Sequence, residues 1–204
     1  HEADEVLPCD VIRTLNALAG DNAIITTEVG QHQMWTAQFY DFTHPRSFAS
    51  SGGLGTMGYG LGAAIGAKVG NPDKYVINIA GDGSFFMNCN ELSTLAKHGI
   101  PVIELVFTNN VLGMVRQWQR IFYGKRFSQT DIDRGTDMMK LAEAFGIEGV
   151  RITKKDEIEA GLKKALACGR PCLVECVIDK DVNVLPMVAP GGDVLDPIME
   201  ISLD

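Results

Sequence analysis

The stretch Lys74–Phe86, KYVINIAGDGSFF, joins a strand-length apolar run to Gly-Asp-Gly. The run is apolar along most of its length, so it predicts a strand buried on both faces, as the strands of a parallel sheet are. Gly81 and Gly83 permit a tight turn and close approach of backbone to a ligand, with an acid, Asp82, between them. Ligands of open parallel sheets bind outside the carboxyl ends of the strands, which is where this turn falls.

Outward from that strand the same alternation repeats. Before it, PCDVIRTLNALAG reads as a helix with Pro8 in its first turn and Gly20 after its end, and NAIITTEVG as a buried strand leading into a loop. TMGYGLGAAIGAKVG predicts a helix over 56–70 with small residues on one face. After it come a helix in NELSTLAKHG, a strand in IPVIELVFTNN, a helix around GMVRQWQ and another in MMKLAEAFG. A short strand in IEGVRIT, a helix in KDEIEAGLKKALACG and a last strand in RPCLVECVID complete the series. Strand and helix in turn, with apolar strands, predict one doubly wound α/β domain over 1–180 whose mostly parallel sheet is flanked by helices. Residues 181–204, with three prolines and a Gly pair, read as a loop-rich carboxy-terminal arm over the surface or over a site.

A chain of 204 residues, 46% hydrophobic, can bury a core of that kind. A net charge of −8 with the acids dispersed argues against a nucleic-acid surface. An anionic ligand must therefore be held by local geometry. The five cysteines form neither a C-x-x-C pair nor a metal pattern, which points to a reducing compartment. Cys168, Cys172 and Cys176 have helical spacing, but Gly169 and Pro171 interrupt it, so they read as buried strand or turn residues. No apolar run approaches the roughly 20 residues of a membrane span, and the acidic start HEADEVLP lacks the basic region of a signal peptide. The expectation is a cytoplasmic protein with no membrane or nucleic-acid partner.

Three strand ends carry chemistry: TTEVGQHQ, IAGDGSF and FTNNVLG. An Asp at a strand end can bind a hard cation, and the free N–H groups of the following helix can hold a phosphate bridged by that cation. Gly-Asp-Gly alone is more often a turn, and Asn-Asn likewise. Together, Asp82 and Asn109 would set two oxygen ligands side by side at one edge of the sheet, which suits Mg²⁺ with a diphosphate.

GDGSF followed by TNN resembles the thiamine-diphosphate motif. With EVGQHQMW, SSGGLGTMGYGLGAAIGA, NNVLGMVRQWQRIFYGKRFSQT and VLPMVAPGG, nearly the whole chain is similar to the carboxy-terminal domain of the catalytic subunit of the acetolactate synthase (acetohydroxyacid synthase) family. Registered on Leu112-Gly113-Met114-Val115, the family's Asn-Asn pair falls at Thr108 and Asn109, so Thr108 departs from the first Asn. The resemblance implies Mg²⁺ on Asp82, Asn109 and the Val111 carbonyl, and a diphosphate held by Gln31 and His32 with Gly83 and Ser84. Val29, Gly30, Leu112, Gly113 and Met114 complete the implied cofactor-binding set. It implies Met57 as the wedge that keeps thiamine diphosphate bent, with the Gly55 carbonyl and Met57 amide at its aminopyrimidine edge. Met114 and Trp118 would ordinarily be a core stripe at helical spacing; the resemblance makes Met114, Val115 and Trp118 the wall of a substrate channel. The Lys and Arg residues of QRIFYGKRF read as solvated.

The family decarboxylates pyruvate and joins the two-carbon unit to pyruvate or 2-ketobutyrate, in branched-chain amino-acid biosynthesis. Its essential Glu lies on an amino-terminal domain of the partner subunit, and a middle domain binds FAD; neither Glu28 nor Glu91 matches that Glu. The resemblance thus implies a domain that is inactive alone, and in the full-length enzyme a homodimer or tetramer with a possible small regulatory subunit. Pyruvate oxidase, glyoxylate carboligase and 2-keto acid decarboxylases would share the metal site, and a non-catalytic thiamine-diphosphate-binding module would share the binding. Gly53–Gly58 also fits the dinucleotide fingerprint G-x-G-x-x-G. HPRSFASSG is a poor strand to precede such a fingerprint, and no acid stands about 20 residues beyond it at a strand end.

Overall fold

A computed structural model describes residues 4–201. Helix α1 (Pro8–Ala19) starts at a proline, whose missing N–H costs nothing there, and stops at Gly20, where φ is 48°. It buries Val11, Ile12, Leu15 and Ala19. There follow β1 (Ala23–Thr27), α2 (Gln31–Phe39), β2 (Phe48–Ser50), α3 (Gly60–Gly70), β3 (Tyr75–Gly81) and the single turn α4 (Asp82–Phe85). The second half holds α5 (Leu92–His98), β4 (Val102–Thr108), α6 (Gly113–Phe122), α7 (Met138–Phe145), β5 (Glu148–Ile152), α8 (Ile158–Ala167) and β6 (Cys172–Val177).

The six strands form one sheet in the order β2-β1-β3-β4-β6-β5, and every pairing is parallel. Side-chain alternation sends Ile77, Ile79, Ile103, Leu105 and Phe107 to one face, with α1 and α8, and Val76, Ala80, Val102 and Val106 to the other, with α3, α5 and α7. The expected doubly wound α/β architecture is therefore present. From β1 the chain winds outward to β2, then crosses back to β3 on the other side of β1. The loops at the carboxyl ends of β1 and β3 thus diverge and leave a crevice, the usual ligand position in such sheets.

Four local expectations are corrected. Residues after Gly30, read as a loop, form α2; its sequence QHQMWTAQF has no apolar period, and tertiary contacts hold it instead. Trp35 packs edge-on to Phe107 at 6.0 Å, and its indole N–H donates to the Asn183 carbonyl. HPRSFASSG, read as a poor strand, contributes the edge strand β2, paired only with β1. The helix expected from Thr56 begins at Gly60, because Gly58 has φ 88°. Arg120, read as solvated, has a side chain only 12% exposed and is paired with Asp181 at 2.5 Å. Cys172 and Cys176 are buried on β6, while Cys168 closes α8.

The tail is joined to the domain at its start. Asp181 also receives Arg116 at 2.9 Å, and Val182 and Val184 are buried in the α1 side of the core. Among the described residues no helix is long and apolar enough to cross a membrane.

Candidate functional site

The crevice is a cavity of ≈ 250 Å³ at the carboxyl ends of β1, β3 and β4. From the β1 end it is lined by Val29, Gly30, Gln31 and His32; from the β3 end by Gly81, Asp82, Gly83 and Ser84. From the β4 end come Asn109, Val111, Leu112, Gly113, Met114 and Val115, and Met57 closes one side. Residues spread over more than eighty positions of sequence thus meet in one place. Two expected residues stand apart from it: Gly55 is not in the lining, and Trp118 belongs to an adjoining cavity. Gly81, read as a point of close backbone approach, lines the cavity too. Trp35, Phe107 and Ile178 also line it, and as apolar residues they are indistinguishable in sequence from core.

At the β3 end the Asp82 carboxylate is held by backbone. One oxygen accepts from the Gly83 N–H at 2.8 Å, the other from Asn109 at 3.2 Å and Asn110 at 2.6 Å. Burial outweighs these bonds and lifts its pKa from 3.8 to about 6. A buried carboxylate that ionises at such cost has a cation as its natural complement. Asn109 Oδ1 accepts from the Val111 N–H at 3.2 Å and so turns its carbonyl oxygen toward the same loop. Asn110, in the left-handed region at φ 58°, lets the chain turn away immediately after. Among the described residues no three His, Cys, Asp or Glu side chains cluster as a metal centre. A cation at Asp82 would draw on amide and backbone oxygens, a hard set suited to Mg²⁺.

At the β1 end His32 is 5% exposed, and its Nε2 is buried with no hydrogen-bond partner. The ring hydrogen-bonds the backbone of Glu28, yet burial drives its pKa from 6.5 to about 3, so it is neutral. The ring lies against glycines: a Cβ on Gly81 would come within 2.8 Å of Nδ1, and one on Gly30 within 2.9 Å of Cε1. Gly83 is closed the same way by Leu112, at 2.9 Å. The floor is thus backbone, with an orphaned nitrogen on one side and a costly carboxylate on the other. Ser84 donates to the Gly81 carbonyl at 3.1 Å, leaving its lone pairs for a donor. Gln31 is already engaged: its amide donates to Gln117 Oε1 at 2.9 Å and to the Val182 carbonyl at 3.0 Å. Its neighbourhood is thereby tied to α6 and to the tail. Thr108, standing at the first position of the implied Asn pair, has a buried hydroxyl with no partner.

A second, open cavity of ≈ 530 Å³ is lined by Met114, Val115, Trp118, Gln119, Tyr123 and Arg126. Met114 and Val115 line both cavities, so the apolar wall of α6 runs outward from the floor. Trp118 is braced by Phe122, edge to face at 5.4 Å. The fingerprint Gly53–Gly58 precedes no long strand-turn-helix unit: it lies in turns between the three-residue β2 and α3, with Gly55 outside the cavity.

Residues 28–176 match the thiamine pyrophosphate enzyme, C-terminal TPP binding domain. The chain is 49% identical over 201 residues to the acetolactate synthase catalytic subunit, mitochondrial, of Saccharomyces cerevisiae, covering 97% of this chain and 29% of that one. It is 47% identical over 203 residues to a probable acetolactate synthase large subunit of Methanococcus aeolicus, covering 96% and 34%. To the acetolactate synthase isozyme 2 large subunit of Escherichia coli it is 42% identical over 202 residues, covering 99% and 37%. The chain thus spans about a third of the length of these curated relatives. It belongs to the thiamine pyrophosphate enzyme family, as a C-terminal TPP-binding domain of the kind found in acetolactate synthase large subunits.

Proposed function

We propose that the chain holds thiamine diphosphate and Mg²⁺ for an acetolactate synthase, which decarboxylates pyruvate and ligates the two-carbon unit to pyruvate or 2-ketobutyrate. Most of the support comes from one pairing on the cavity floor, the partnerless buried Nε2 of His32 and the burial-raised carboxylate of Asp82. A diphosphate bridged by a cation would satisfy both. In this reading Asp82, Asn109 and the Val111 carbonyl hold Mg²⁺. His32, Gly83 and the Ser84 and Gln31 backbones meet the diphosphate, and Met57 with Gly55 supports the aminopyrimidine side. Bound there, thiamine diphosphate supplies the electron sink for loss of carbon dioxide from a 2-keto acid. The α6 wall of Met114, Val115 and Trp118 excludes water and selects the second 2-keto acid.

His32 carries a further consequence. A neutral ring whose one nitrogen hydrogen-bonds the Glu28 backbone presents a lone pair at Nε2. Contact between that atom and a phosphate oxygen needs a proton between them, supplied either by solution or by the ligand's own terminal phosphate. The full-length enzyme would add the essential Glu and a flavin domain, work as a homodimer or tetramer in the cytoplasm, and be open to a small regulatory subunit. The domain alone would bind without turnover.

Calorimetric titration of the chain with thiamine diphosphate, with and without Mg²⁺, tests the binding reading. Saturable Mg²⁺-dependent binding is expected, and a heat that changes with the ionisation enthalpy of the buffer marks the His32 proton as one taken from solution; NADH binding in its place would overturn the reading. Product analysis of the full-length enzyme with pyruvate plus 2-ketobutyrate tests the reaction, and acetaldehyde as sole product would replace a synthase by a decarboxylase.

A further inference from the structure

We propose that Glu28 is a positioning residue that sets the aminopyrimidine side of the cavity, an inference that rests on the cofactor reading above. Glu28 follows β1 and is 1% exposed. Its side chain spans to the start of α3, thirty residues on. One carboxylate oxygen accepts from the Gly58 N–H at 2.5 Å; the other accepts from Gly60 at 2.8 Å and from Leu61 at 3.2 Å. Helix α3 has no capping side chain of its own. The first N–H groups of a helix need an acceptor, and here a carboxylate from another strand supplies it.

The consequence falls on Met57. The residues just before it are held only locally, Gly55 to the Ser51 carbonyl at 3.0 Å and Thr56 to the Ser51 hydroxyl at 3.0 Å, and Leu54 is 94% exposed. Gly58 is held from both sides: its N–H by Glu28, its carbonyl by the Asn88 amide at 3.2 Å. Gly60 is seated directly on β1, its carbonyl accepting from the Thr26 hydroxyl at 3.2 Å. Met57, which closes the cavity, is therefore placed by its bond to a clamped Gly58. The backbone of Glu28 meanwhile engages His32. One residue thus spaces the diphosphate end from the aminopyrimidine end: its main chain reaches the first, its carboxylate the second.

The test separates the two ends. Amide hydrogen exchange at Gly58, Gly60 and Leu61 is measured in the cofactor-free chain for wild type, Glu28→Gln and Glu28→Ala. The same proteins are titrated, with Mg²⁺, against thiamine diphosphate and against inorganic diphosphate. Loss of a charge-assisted acceptor is expected to lower protection at these amides about tenfold and to weaken thiamine diphosphate about tenfold, leaving inorganic diphosphate unchanged. Glu28→Asp, which keeps the charge, should recover part of both losses, and it serves as the probe if Glu28→Ala does not fold. Unchanged protection, or equal loss of affinity for the two probes, overturns the inference. A wild-type chain that binds neither probe overturns the cofactor reading itself, whatever the amides show.

Discussion

On the floor of the cavity His32, Asp82 and Ser84 are 5%, 3% and 1% exposed, whereas on its rim, where α6 passes into the adjoining cavity, Val115 and Trp118 are 48% and 36% exposed. The floor is made of backbone: glycines set its shape and amide groups hold its carboxylate. The rim is made of apolar side chains facing outward. The floor's shape is set within the chain, since the amides that hold Asp82 and the glycines that seat the His32 ring all belong to it. An apolar rim gains its full meaning only when something covers it. Cofactor grasp and substrate selection should therefore separate experimentally, the first surviving in this chain, the second needing the longer enzyme.

The largest effect should come from Asp82→Ala. Three N–H groups, of the buried Gly83, the half-buried Asn109 and the exposed Asn110, would lose their acceptor. With water able to reach part of this loop, the loss costs on the order of 2 kcal/mol together, read as a lower urea midpoint. Mg²⁺-dependent binding should fall about 100-fold or more, since a charged ligand and its loop go together. Retention of Mg²⁺-dependent binding would remove Asp82 from the metal site. Gly81→Ala comes next and alters shape alone. Gly81 has φ −98°, which alanine adopts freely, so only the contact with the His32 ring at 2.8 Å resists it. Overpacking of this kind costs about 2 kcal/mol, and displacement of the ring should weaken diphosphate about tenfold.

How much of this contrast could be read from the sequence depends on where each part is specified. The strands around Val76–Gly81 and Val102–Thr108 are apolar and β-branched, and their ends carry Asp82 and Asn109; pattern and residue type were enough. Helix α2 was not legible, because nothing in QHQMWTAQF is periodic and Trp35 is held by Phe107 and Asn183, far away in sequence. Strand β2 has three residues and depends on β1 for its pairing. Glu28 was visible only as an acid near a motif; its partners are amides, which every sequence contains. The same holds for the network in which the Thr26 hydroxyl donates to Asn78 and the Asn78 amide to both oxygens of Glu104, across three adjacent strands. Motifs name side chains, and a floor built of backbone escapes them.

His32 offers a smaller test, by pH. Its folded pKa of about 3 lies below the ordinary 6.5. Below pH 6.5 the unfolded chain gains a proton on this ring that the folded chain refuses, so the contribution of His32 falls as pH falls. The slope approaches about 1.4 kcal/mol per pH unit until the folded pKa is reached. Asp82, Glu28 and Glu104, all raised by burial, run the other way and keep more protons when folded. Wild type minus His32→Gln cancels those common groups. That difference in unfolding free energy should shrink by about that slope between pH 6.5 and 5. A flat difference would mean that the ring is reached by water or held as a cation.

The smallest effects belong to the rim, and they sharpen the comparison most. Trp118 is braced mainly by Phe122, and Leu54, which lines neither cavity, extends into solvent and serves as the outside reference. Trp118→Ala should cost this chain about 1 kcal/mol, the worth of one half-exposed aromatic pair. Leu54→Ser should stay within about 0.5 kcal/mol, as exposed substitutions do. Neither should change the affinity for thiamine diphosphate with Mg²⁺ by more than about twofold, because neither side chain reaches the floor. In the full-length enzyme Trp118→Ala should instead change the ratio of products formed from pyruvate and 2-ketobutyrate, since one methylene of difference is read by apolar contact at about 1 kcal/mol or more. If Trp118→Ala weakened cofactor binding in the isolated chain as much as Gly81→Ala, floor and rim would be one mechanical unit, and the division between them would have to be redrawn at α6.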